Sequence, residues 1–286
     1  RRSAVTRTTH HRPDSVAPLG RLQHIDCFGR FLAVARITPP SEVARLLDRL
    51  AELGDPPVPS GGEVDSGSPA NWSLADRDAL AQEFHRLWYD LDSQTWRDTH
   101  WCGEPVRKSP LDLWIYQELI WEVRPTVVIE TGTRFGGSAF YFASILDRVG
   151  RGRVVTVDID PVDPLPVHPR IEYLRGSSVD PEVVEHITSS ICPDDVVLVN
   201  LDSDHSRDHV LAELEVFAPL VTPGSYVIVE DTNISGHPVR PDHGPGPMEA
   251  VEVFFPLHPE FVNDERPERY LMTFHPRGFW KRVSAR

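Results

Sequence analysis

The sequence predicts an α/β fold with a mainly parallel sheet of about seven strands. Two observations support this fold. From Pro125 onward, short apolar runs rich in β-branched residues alternate with helical segments; the runs are TVVIE, RVVTVD, RIEYL, DVVLVNL and SYVIVE. These runs are apolar nearly throughout, as expected of strands buried on both faces under helices. The length of 286 residues is sufficient for one substantial core.

The end of the chain shows a different pattern. The runs YLMTF and GFWKRV are separated only by HPR. That connection is too short for a parallel crossover, so we predict that the two runs form a C-terminal antiparallel hairpin. A mainly parallel, Rossmann-like sheet of seven strands closed by such a hairpin is the architecture of class I methyltransferases.

The region before the sheet is predicted to be helical. Residues 1-20 are polar and aperiodic, which indicates a flexible N-terminal arm. Apolar residues at helical spacing follow in three stretches, at 41-53, 74-92 and 110-123. We therefore divide the chain into the arm, a helical cap region at 21-124 and a cofactor-binding domain at 125-286.

Composition limits the possible partners. The formal net charge is −14, which disfavours binding to nucleic-acid phosphates and anionic membranes. No apolar run is long enough to span a bilayer, and the Arg-rich start lacks the apolar core of a secretory signal. We expect a cytoplasmic protein.

The three cysteines show no metal-site or disulfide spacing. Cys27, Cys102 and Cys192 are far apart, and no Cys-x-x-Cys is present. We expect free structural thiols that pack as small buried hydrophobes.

A glycine-rich turn after the first strand predicts a cofactor site. Strand TVVIE continues into ETGTRFGGS, residues 130-138, and then into a helix. The glycines at 132, 136 and 137 allow a tight turn and close approach of a ligand. Glu130 would repel a pyrophosphate, and its carboxylate suits the amino group or sulfonium of S-adenosylmethionine better. Two alternatives remain: a turn that only packs helix on strand, and an NAD-binding oxidoreductase.

Two further segments are expected to contact the nucleoside. The second strand ends in VVTVDID, which places Asp158 where a carboxylate can bind both ribose hydroxyls. Asp160 is the alternative, since two residues apart on a strand face the same way. Ser177 and Ser178 follow the third strand, where they would line the adenine ring or cap the next helix.

Acidic residues after the fourth and fifth strands predict a metal site. DVVLVNL leads into LDSDHSRDH, residues 201-209, and SYVIVE ends at Glu230 and Asp231. Ligands in open α/β sheets bind at the carboxyl ends of the strands, so these groups could converge on one cation. Oxygen ligands favour magnesium over zinc. The alternative is that the group at 202-205 only caps the next helix.

The spacing Asp202-x-x-His205 places an imidazole about one helical turn from the first acidic residue. With an ordinary pKa near 6.5, His205 suits the role of a general base. A bound cation would acidify and orient a hydroxyl group, and His205 would remove its proton before attack on the methyl group. His209 lies one turn further, where it would orient His205 or face solvent.

Taken together, these motifs resemble the rhamnosyl O-methyltransferase and cephalosporin hydroxylase family of class I methyltransferase-like proteins. The resemblance covers roughly residues 100-286 and rests on several segments: WCGEPVRKSPLDLWIYQELIWEVRP, ETGTRFGGS, VDID, GSS, LDSDH, VEDTN, GPGPMEAV and TFHPRGFWKR. The placement of Asp-x-x-His and Glu-Asp is similar to that of macrolide-glycoside O-methyltransferases. The resemblance does not extend to the first 100 residues, which are expected to contribute to substrate choice.

The resemblance implies a role for each matching residue. His205 would be the base, and the metal ligands would be Asp202, Glu230 and Asp231. With the turn and loop residues included, the expected cofactor contacts are Glu130, Gly132, Thr133, Gly136, Ser138, Asp158, Ser177, Ser178 and Asp202. The implied activity is magnesium-dependent methylation, by S-adenosylmethionine, of a hydroxyl on a sugar or another antibiotic-type natural product. By analogy with the family we also expect a homo-oligomer.

Two predictions and one alternative remain. The Gly- and Pro-rich segment 232-247 would be a lid over the acceptor or an ordinary surface loop. Trp101 and Trp114 would form an apolar wall for the acceptor or belong to the core. The alternative to methyl transfer within the family is a cofactor-binding partner protein in a two-protein hydroxylation and methoxylation system.

Overall fold

The computed structural model describes residues 74–90 and 95–283 of the chain. These residues all fall within one compact unit, Glu63–Arg286. The predicted arm at 1-20, the predicted helix at 41-53 and Cys27 lie outside the described residues.

Six α-helices and nine strands are present in the described part of the chain. The helices are α1 (Leu74–Asp90), α2 (Pro110–Val123), α3 (Gly137–Val149), α4 (Pro181–Ser189), α5 (Arg207–Phe217) and α6 (Pro247–Phe254). The strands are β1 (His100–Trp101), β2 (Glu104–Pro105), β3 (Val127–Thr131), β4 (Arg153–Asp158), β5 (Ile171–Arg175), β6 (Val197–Leu201), β7 (Tyr226–Val229), β8 (Phe261–Asn263) and β9 (Phe279–Arg282). None of the described helices combines the length and the apolar character needed to cross a membrane.

Seven of these strands form the main sheet, in the order β5-β4-β3-β6-β7-β9-β8. Strands β3 to β7 pair in parallel, whereas β9 runs antiparallel to both β7 and β8. The predicted α/β fold with a mainly parallel seven-stranded sheet is therefore confirmed. Strands β1 and β2 form a separate two-stranded antiparallel sheet.

The predicted partner in the C-terminal hairpin was wrong. The partner of β9 is β8, and the segment YLMTF does not form a strand. Its backbone has other partners: the Phe274 N–H donates to Asp112 Oδ2 over 2.9 Å, and the Phe274 carbonyl accepts from the Asn233 N–H. Met272 and Phe274 of this segment are buried, at 7% and 3% exposed, whereas Tyr270 and Leu271 are exposed, at 39% and 67%, so its apolar residues do not form the buried face of a strand.

The sheet separates two apolar cores, because successive side chains of a strand point to opposite faces. On β3, Val127 and Ile129 pack into one cluster with α5 and α6, whereas Val128 packs into the other with α2 and α3. All five β3 residues are buried. The uninterrupted apolar runs of the sequence thus correspond to strands covered on both faces.

Helix α2 has the bounds that its sequence predicted. The Ser109 side chain accepts a hydrogen bond from Leu111 N, Pro110 occupies the first turn, and Arg124 ends the helix in a left-handed conformation before Pro125. Helix α1 begins the described chain, and its Tyr89 packs with Ile234, Val239 and Phe274.

Of the two tryptophans considered for an acceptor wall, Trp101 packs against the hydrophobic core. It packs against the α2–α3 cluster, and its Nε1 donates to Ser144 Oγ over 3.2 Å. Trp114 is 58% exposed and donates to Glu118 on its own helix. These contacts of Trp101 and Trp114 give no support for an acceptor wall.

The described cysteines are free, as predicted, but their predicted burial was wrong. Cys102 and Cys192 are both exposed. Cys102 sits at φ 51° in the β1–β2 turn, and the backbone N–H of Cys192 bonds to Asp195 in the turn after α4. Turn positions keep these small side chains at the surface.

Candidate active site

The candidate site is assembled by the register of three neighbouring strands. Leu201 at the end of β6 pairs with Thr131 of β3 on one side and with Val229 of β7 on the other. Because the strands are parallel, the residues that follow them emerge at the same edge. Asp202 and Glu230 therefore lie side by side, as the sequence indicated.

The glycine-rich turn after β3 brings this edge close to the β6 loop. A Cβ atom on Gly132 would lie 1.8 Å from the Asp202 carbonyl oxygen, and φ at Gly132 is +92°. A Cβ on Gly136, which precedes α3, would lie 2.8 Å from Pro166. The tight turn predicted for these glycines is present, with φ at Gly136 also positive, at +72°, and the space that a Cβ would need is filled by the protein itself. They allow two loops to pack, and their contact with a cofactor stays a prediction.

Glu130 is fully buried beside this turn. Its Oε2 accepts a hydrogen bond of 2.6 Å from Thr156 Oγ1, which also lies 2.7 Å from the Thr133 hydroxyl. Its Oε1 has no hydrogen-bond partner among the described residues. Burial raises the pKa of Glu130 to about 7, against the lowering effect of Lys108, Ser138 and Thr156. A buried carboxyl oxygen without a partner is suited to a ligand that carries an ammonium group.

Asp158 and Asp160 occupy different environments. The Asp158 carboxylate accepts hydrogen bonds from the backbone N–H of Arg134, over 2.7 Å, and from that of Asp160, over 2.8 Å. Strand β4 ends at Asp158, so Asp160 lies in the following bend and is exposed. The expectation that both would face the same way fails, because the strand does not continue to Asp160.

Ser178 and His209 belong to a buried polar group with Glu213. Ser178 Oγ and Ser203 Oγ both donate to Glu213 Oε1, over 2.5 and 2.6 Å. His209 Nε2 lies 3.1 Å from Ser178 Oγ, so His209 neither orients His205 nor simply faces solvent. Ser177 is half-buried, and its carbonyl accepts from the Asp180 N–H.

His205 lies between two carboxylates. Its Nε2 is 3.3 Å from Asp202 Oδ1, and its Nδ1 is 3.4 Å from Asp231 Oδ2. One ligand atom from each of these three residues lies within 4.8 Å of the others. Burial lowers the pKa of His205, but the charges of Asp231 and Asp202 outweigh that effect and raise it to about 9. The two carboxylates of this group fit a hard divalent cation such as magnesium.

Glu230 has a different partner. It is 2% exposed, and both of its oxygens accept from Lys108 Nζ, over 2.6 and 2.5 Å. The same ammonium donates to Asp202 Oδ2 over 2.7 Å. Asn200 Nδ2 adds a hydrogen bond of 2.6 Å to Glu230 Oε1. Asp202 and Glu230 thus share one cationic group, as predicted for a metal ion, but in this structure that group is the ammonium of Lys108.

Sequence reasoning missed Lys108 and a buried group behind Glu230. His275 Nδ1 accepts from the Asp231 N–H over 3.0 Å, and its Nε2 lies 3.6 Å from Glu230 Oε2. Asp112 lies behind His275 and bonds to Thr273 Oγ1. A signal for Lys108 was present, because it lies in WCGEPVRKSPLDLWIYQELIWEVRP, one of the segments on which the family resemblance rests.

Segment 232-247 is tied to the rest of the described chain. Its Asn233 Nδ2 lies 2.9 Å from His85 Nε2 of α1, and His237 Nε2 lies 2.8 Å from Glu249. A cavity of about 370 Å³ lies between this segment, α1 and the chain before β9. It is lined by polar and apolar side chains, among them Gln82, His85, His237, Met248, Leu271 and Thr273.

Comparison with known proteins shows the family. The family model described as "Rhamnosyl O-methyltransferase/CmcI" matches residues 93–283. The chain belongs to this family. A rhamnosyl O-methyltransferase of Mycobacterium tuberculosis is 42% identical over 213 residues, which cover 71% of this chain and 84% of the relative. The Mycobacterium leprae protein of the same name is 39% identical over 209 residues, covering 71% and 90% of the two chains.

Solved structures agree with the fold of the rhamnosyl O-methyltransferase/CmcI family. The structure titled "CmcI-N160 apo-structure" aligns with a TM-score of 0.52 and 23% identity, covering 84% of this chain and 96% of that one. The structure titled "cmcI-D160 Mg-SAM" also aligns with a TM-score of 0.52, at 20% identity and with coverage of 83% and 96%. The class I methyltransferase fold predicted from the sequence is therefore confirmed.

Proposed function

We propose that this protein transfers the methyl group of S-adenosylmethionine to a hydroxyl group of a sugar or another specialised metabolite, with the help of magnesium. One observation supports this proposal above all others. The carboxylates of Asp202 and Asp231 flank His205 and, together with the neighbouring Glu230, could hold a divalent cation next to the buried Glu130 at the glycine-rich turn, which leaves the His205 imidazole to act as the base. Acidic strand ends beside a site for a cationic ligand suit metal-assisted methyl transfer.

The cofactor would be held mainly by Glu130 and Asp158. Glu130 offers a free, buried oxygen to the amino group of S-adenosylmethionine. The Asp158 carboxylate, fixed by two backbone N–H groups, retains lone pairs for the ribose hydroxyls. The remaining predicted contacts, Gly132, Thr133, Gly136, Ser138, Ser177, Ser178 and Asp202, surround the same strand edge or the loops that adjoin it.

His205 would act as the general base. When bound, the divalent cation supplies positive charge that acidifies and orients an acceptor hydroxyl. The carboxylates that raise the pKa of His205 to about 9 are also proposed metal ligands. A cation bound to these carboxylates would offset their negative charge. The protonated form of His205 would then lose its stabilisation, and the imidazole could accept a proton near neutral pH.

The acceptor is proposed to be a glycoside. The relatives at 42% and 39% identity are named for a rhamnosyl acceptor, which supports a sugar. Participation in antibiotic biosynthesis, homo-oligomer formation and a cytoplasmic location are further proposals, which rest on the family resemblance and on composition.

The test is methyl transfer from labelled S-adenosylmethionine to a panel of deoxysugar glycosides with magnesium present. We expect chelation by EDTA or the substitution Asp202→Asn to lower the rate by roughly a hundredfold or more, because charge stabilisation by a metal contributes several kcal/mol. Asp208→Asn is the matched control, since Asp208 is exposed at the start of α5 and contacts Arg207. Full activity of Asp202→Asn in EDTA would contradict the metal-dependent mechanism.

A further inference from the structure

Lys108 is a buried ammonium at the centre of the acidic cluster. Its side chain is 3% exposed, and its Nζ lies 2.7 Å from Asp202 Oδ2 and 2.5 Å from Glu230 Oε2. Burial alone would lower the pKa of Lys108, but the charges of Asp202 and Glu230 outweigh burial and raise the pKa above its ordinary value. Without Lys108, the buried Glu230 carboxylate would lose the ammonium group that contacts both of its oxygens.

The backbone of Lys108 is fixed by its neighbours. The Thr99 hydroxyl donates to the Lys108 carbonyl over 3.0 Å and accepts from its N–H over 3.2 Å. Arg107 before it has a φ of +52°, and Ser109 after it caps α2. The Lys108 backbone is therefore held in place, whereas the four-carbon side chain keeps rotatable bonds that allow its ammonium group to move.

The position of the ammonium is the position that a cation would take. Nζ lies 2.6 and 2.5 Å from the two oxygens of Glu230, and so sits near the bisector of that carboxylate. Magnesium binds carboxylate oxygens at about 2.0–2.1 Å. An ion held by both oxygens of Glu230, or shared between Glu230 and Asp202, would overlap the ammonium.

We propose that Lys108 is an exchangeable counter-cation of the metal site: it holds Asp202 and Glu230 together before metal binds, and its ammonium leaves Glu230 when magnesium enters. In this role Lys108 is a positioning residue that weakens and tunes the affinity for metal. The inference deepens the proposed function and rests on its metal requirement. It also connects the segment before α2 to a site otherwise built from strand ends.

The direct test is magnesium binding measured by calorimetry on the full chain. Because Lys108→Met removes a competing positive charge, we expect its dissociation constant for Mg²⁺ to be at least about tenfold lower than that of the unmodified protein. Lys108→Arg keeps the charge and a geometry suited to carboxylates, so it should restore weak binding. Lys281→Met is the matched control, since Lys281 lies on β9 and pairs with Glu122 near the end of α2.

A second measurement uses the unmodified protein, in case Lys108→Met does not fold. The chain has two lysines, so lysine labelled with ¹³C at Cε gives two signals, which Lys281→Arg assigns. We expect the Lys108 signal to change in step with the Mg²⁺ binding isotherm while that of Lys281 stays constant.

Two results would overturn the inference. One is equal or weaker Mg²⁺ binding by a folded Lys108→Met protein. The other is a Lys108 signal that does not move while calorimetry shows bound Mg²⁺. Either could occur while methyl transfer still required metal, which leaves the proposed function intact. Failure of the proposed function would instead appear as methyl transfer that survives EDTA, or as no transfer to any glycoside.

Discussion

Glu130 shows how one residue can couple cofactor binding to pH. It is buried, one of its oxygens has no partner, and burial raises its pKa from 4.5 to about 7. Without a ligand, Glu130 loses its proton near pH 4.5 in the unfolded chain but only near pH 7 in the folded protein. Its contribution to the free energy of unfolding therefore falls as pH rises from 4.5 to about 7. A ligand that carries an ammonium group reverses this, because it binds the ionised form of Glu130.

We therefore expect the affinity for S-adenosylhomocysteine, which has the same amino group, to rise with pH. The dissociation constant should fall by up to about tenfold per pH unit below pH 7 and level off above it, since one proton is released on binding. Calorimetry between pH 5.5 and 8.5 measures this, and about pH 8 is where the plateau should be reached. Glu130→Gln should bind more weakly and lose the pH dependence; an unchanged profile in this variant would assign the dependence to another group.

Individual site residues differ in how far the sequence could predict them. Asp202 and Asp231 lie one and two residues after the ends of β6 and β7, so a strand assignment alone places them at the ligand-binding edge, and His205 follows Asp202 by three residues. Lys108 precedes α2 and reaches Glu230 across 122 positions of sequence. No local pattern contains that contact, because it depends on how the segment before α2 packs against the sheet.

At the scale of elements, the β3–α3 turn depends on a glycine that brings two loops together. Gly132 has a φ of +92°, and an added Cβ would meet backbone atoms of Asp202 and Ser203. Backbone atoms cannot move aside as a flexible side chain can, so a clash here shifts the loop that carries Asp202. The turn thus positions the proposed metal ligand Asp202 as well as the predicted cofactor site.

Gly132→Ala should lower the free energy of unfolding by about 2–5 kcal/mol, from backbone strain plus overpacking. Gly224→Ala is a matched control, because Gly224 has a φ of +90° and nothing within 4 Å of an added Cβ. It should lose about 1 kcal/mol, the cost of the φ value alone. Urea unfolding of both variants measures the difference, and equal losses would show that the close approach to Asp202 is not important for stability.

Elements with local signals were predicted well, and those with distant partners were not. Helix α2 has a cap at Ser109, a proline in its first turn and a proline after its end, and each signal acts within a few residues. The pairing of β9 with β8 joins Phe279–Arg282 to Phe261–Asn263, with a 3-10 helix between them. The nearer YLMTF run has the composition of a strand, but Asp112 and Asn233 bind its backbone instead.

At the scale of the whole molecule, the site joins parts of the chain that are distant in sequence. Lys108, Glu130, Asp158, Asp202 and Glu230 come from five segments, which meet only when the sheet is complete. Unfolding therefore destroys the site as a unit. A ligand that binds there binds the folded state alone and shifts the unfolding equilibrium by mass action.

Ligands of the proposed cofactor site should therefore raise the thermal midpoint of the whole protein. At a concentration of 100 times its dissociation constant, S-adenosylhomocysteine should stabilise the fold by about 2.7 kcal/mol, which corresponds to roughly 5–10 °C for a chain of this size. NAD is the comparison ligand, because the buried carboxyl of Glu130 disfavours a pyrophosphate at the same turn. Calorimetric scans with each ligand measure both shifts. A shift with NAD and none with S-adenosylhomocysteine would mean that the turn after β3 holds a dinucleotide, and the methyl-transfer proposal would fail with it.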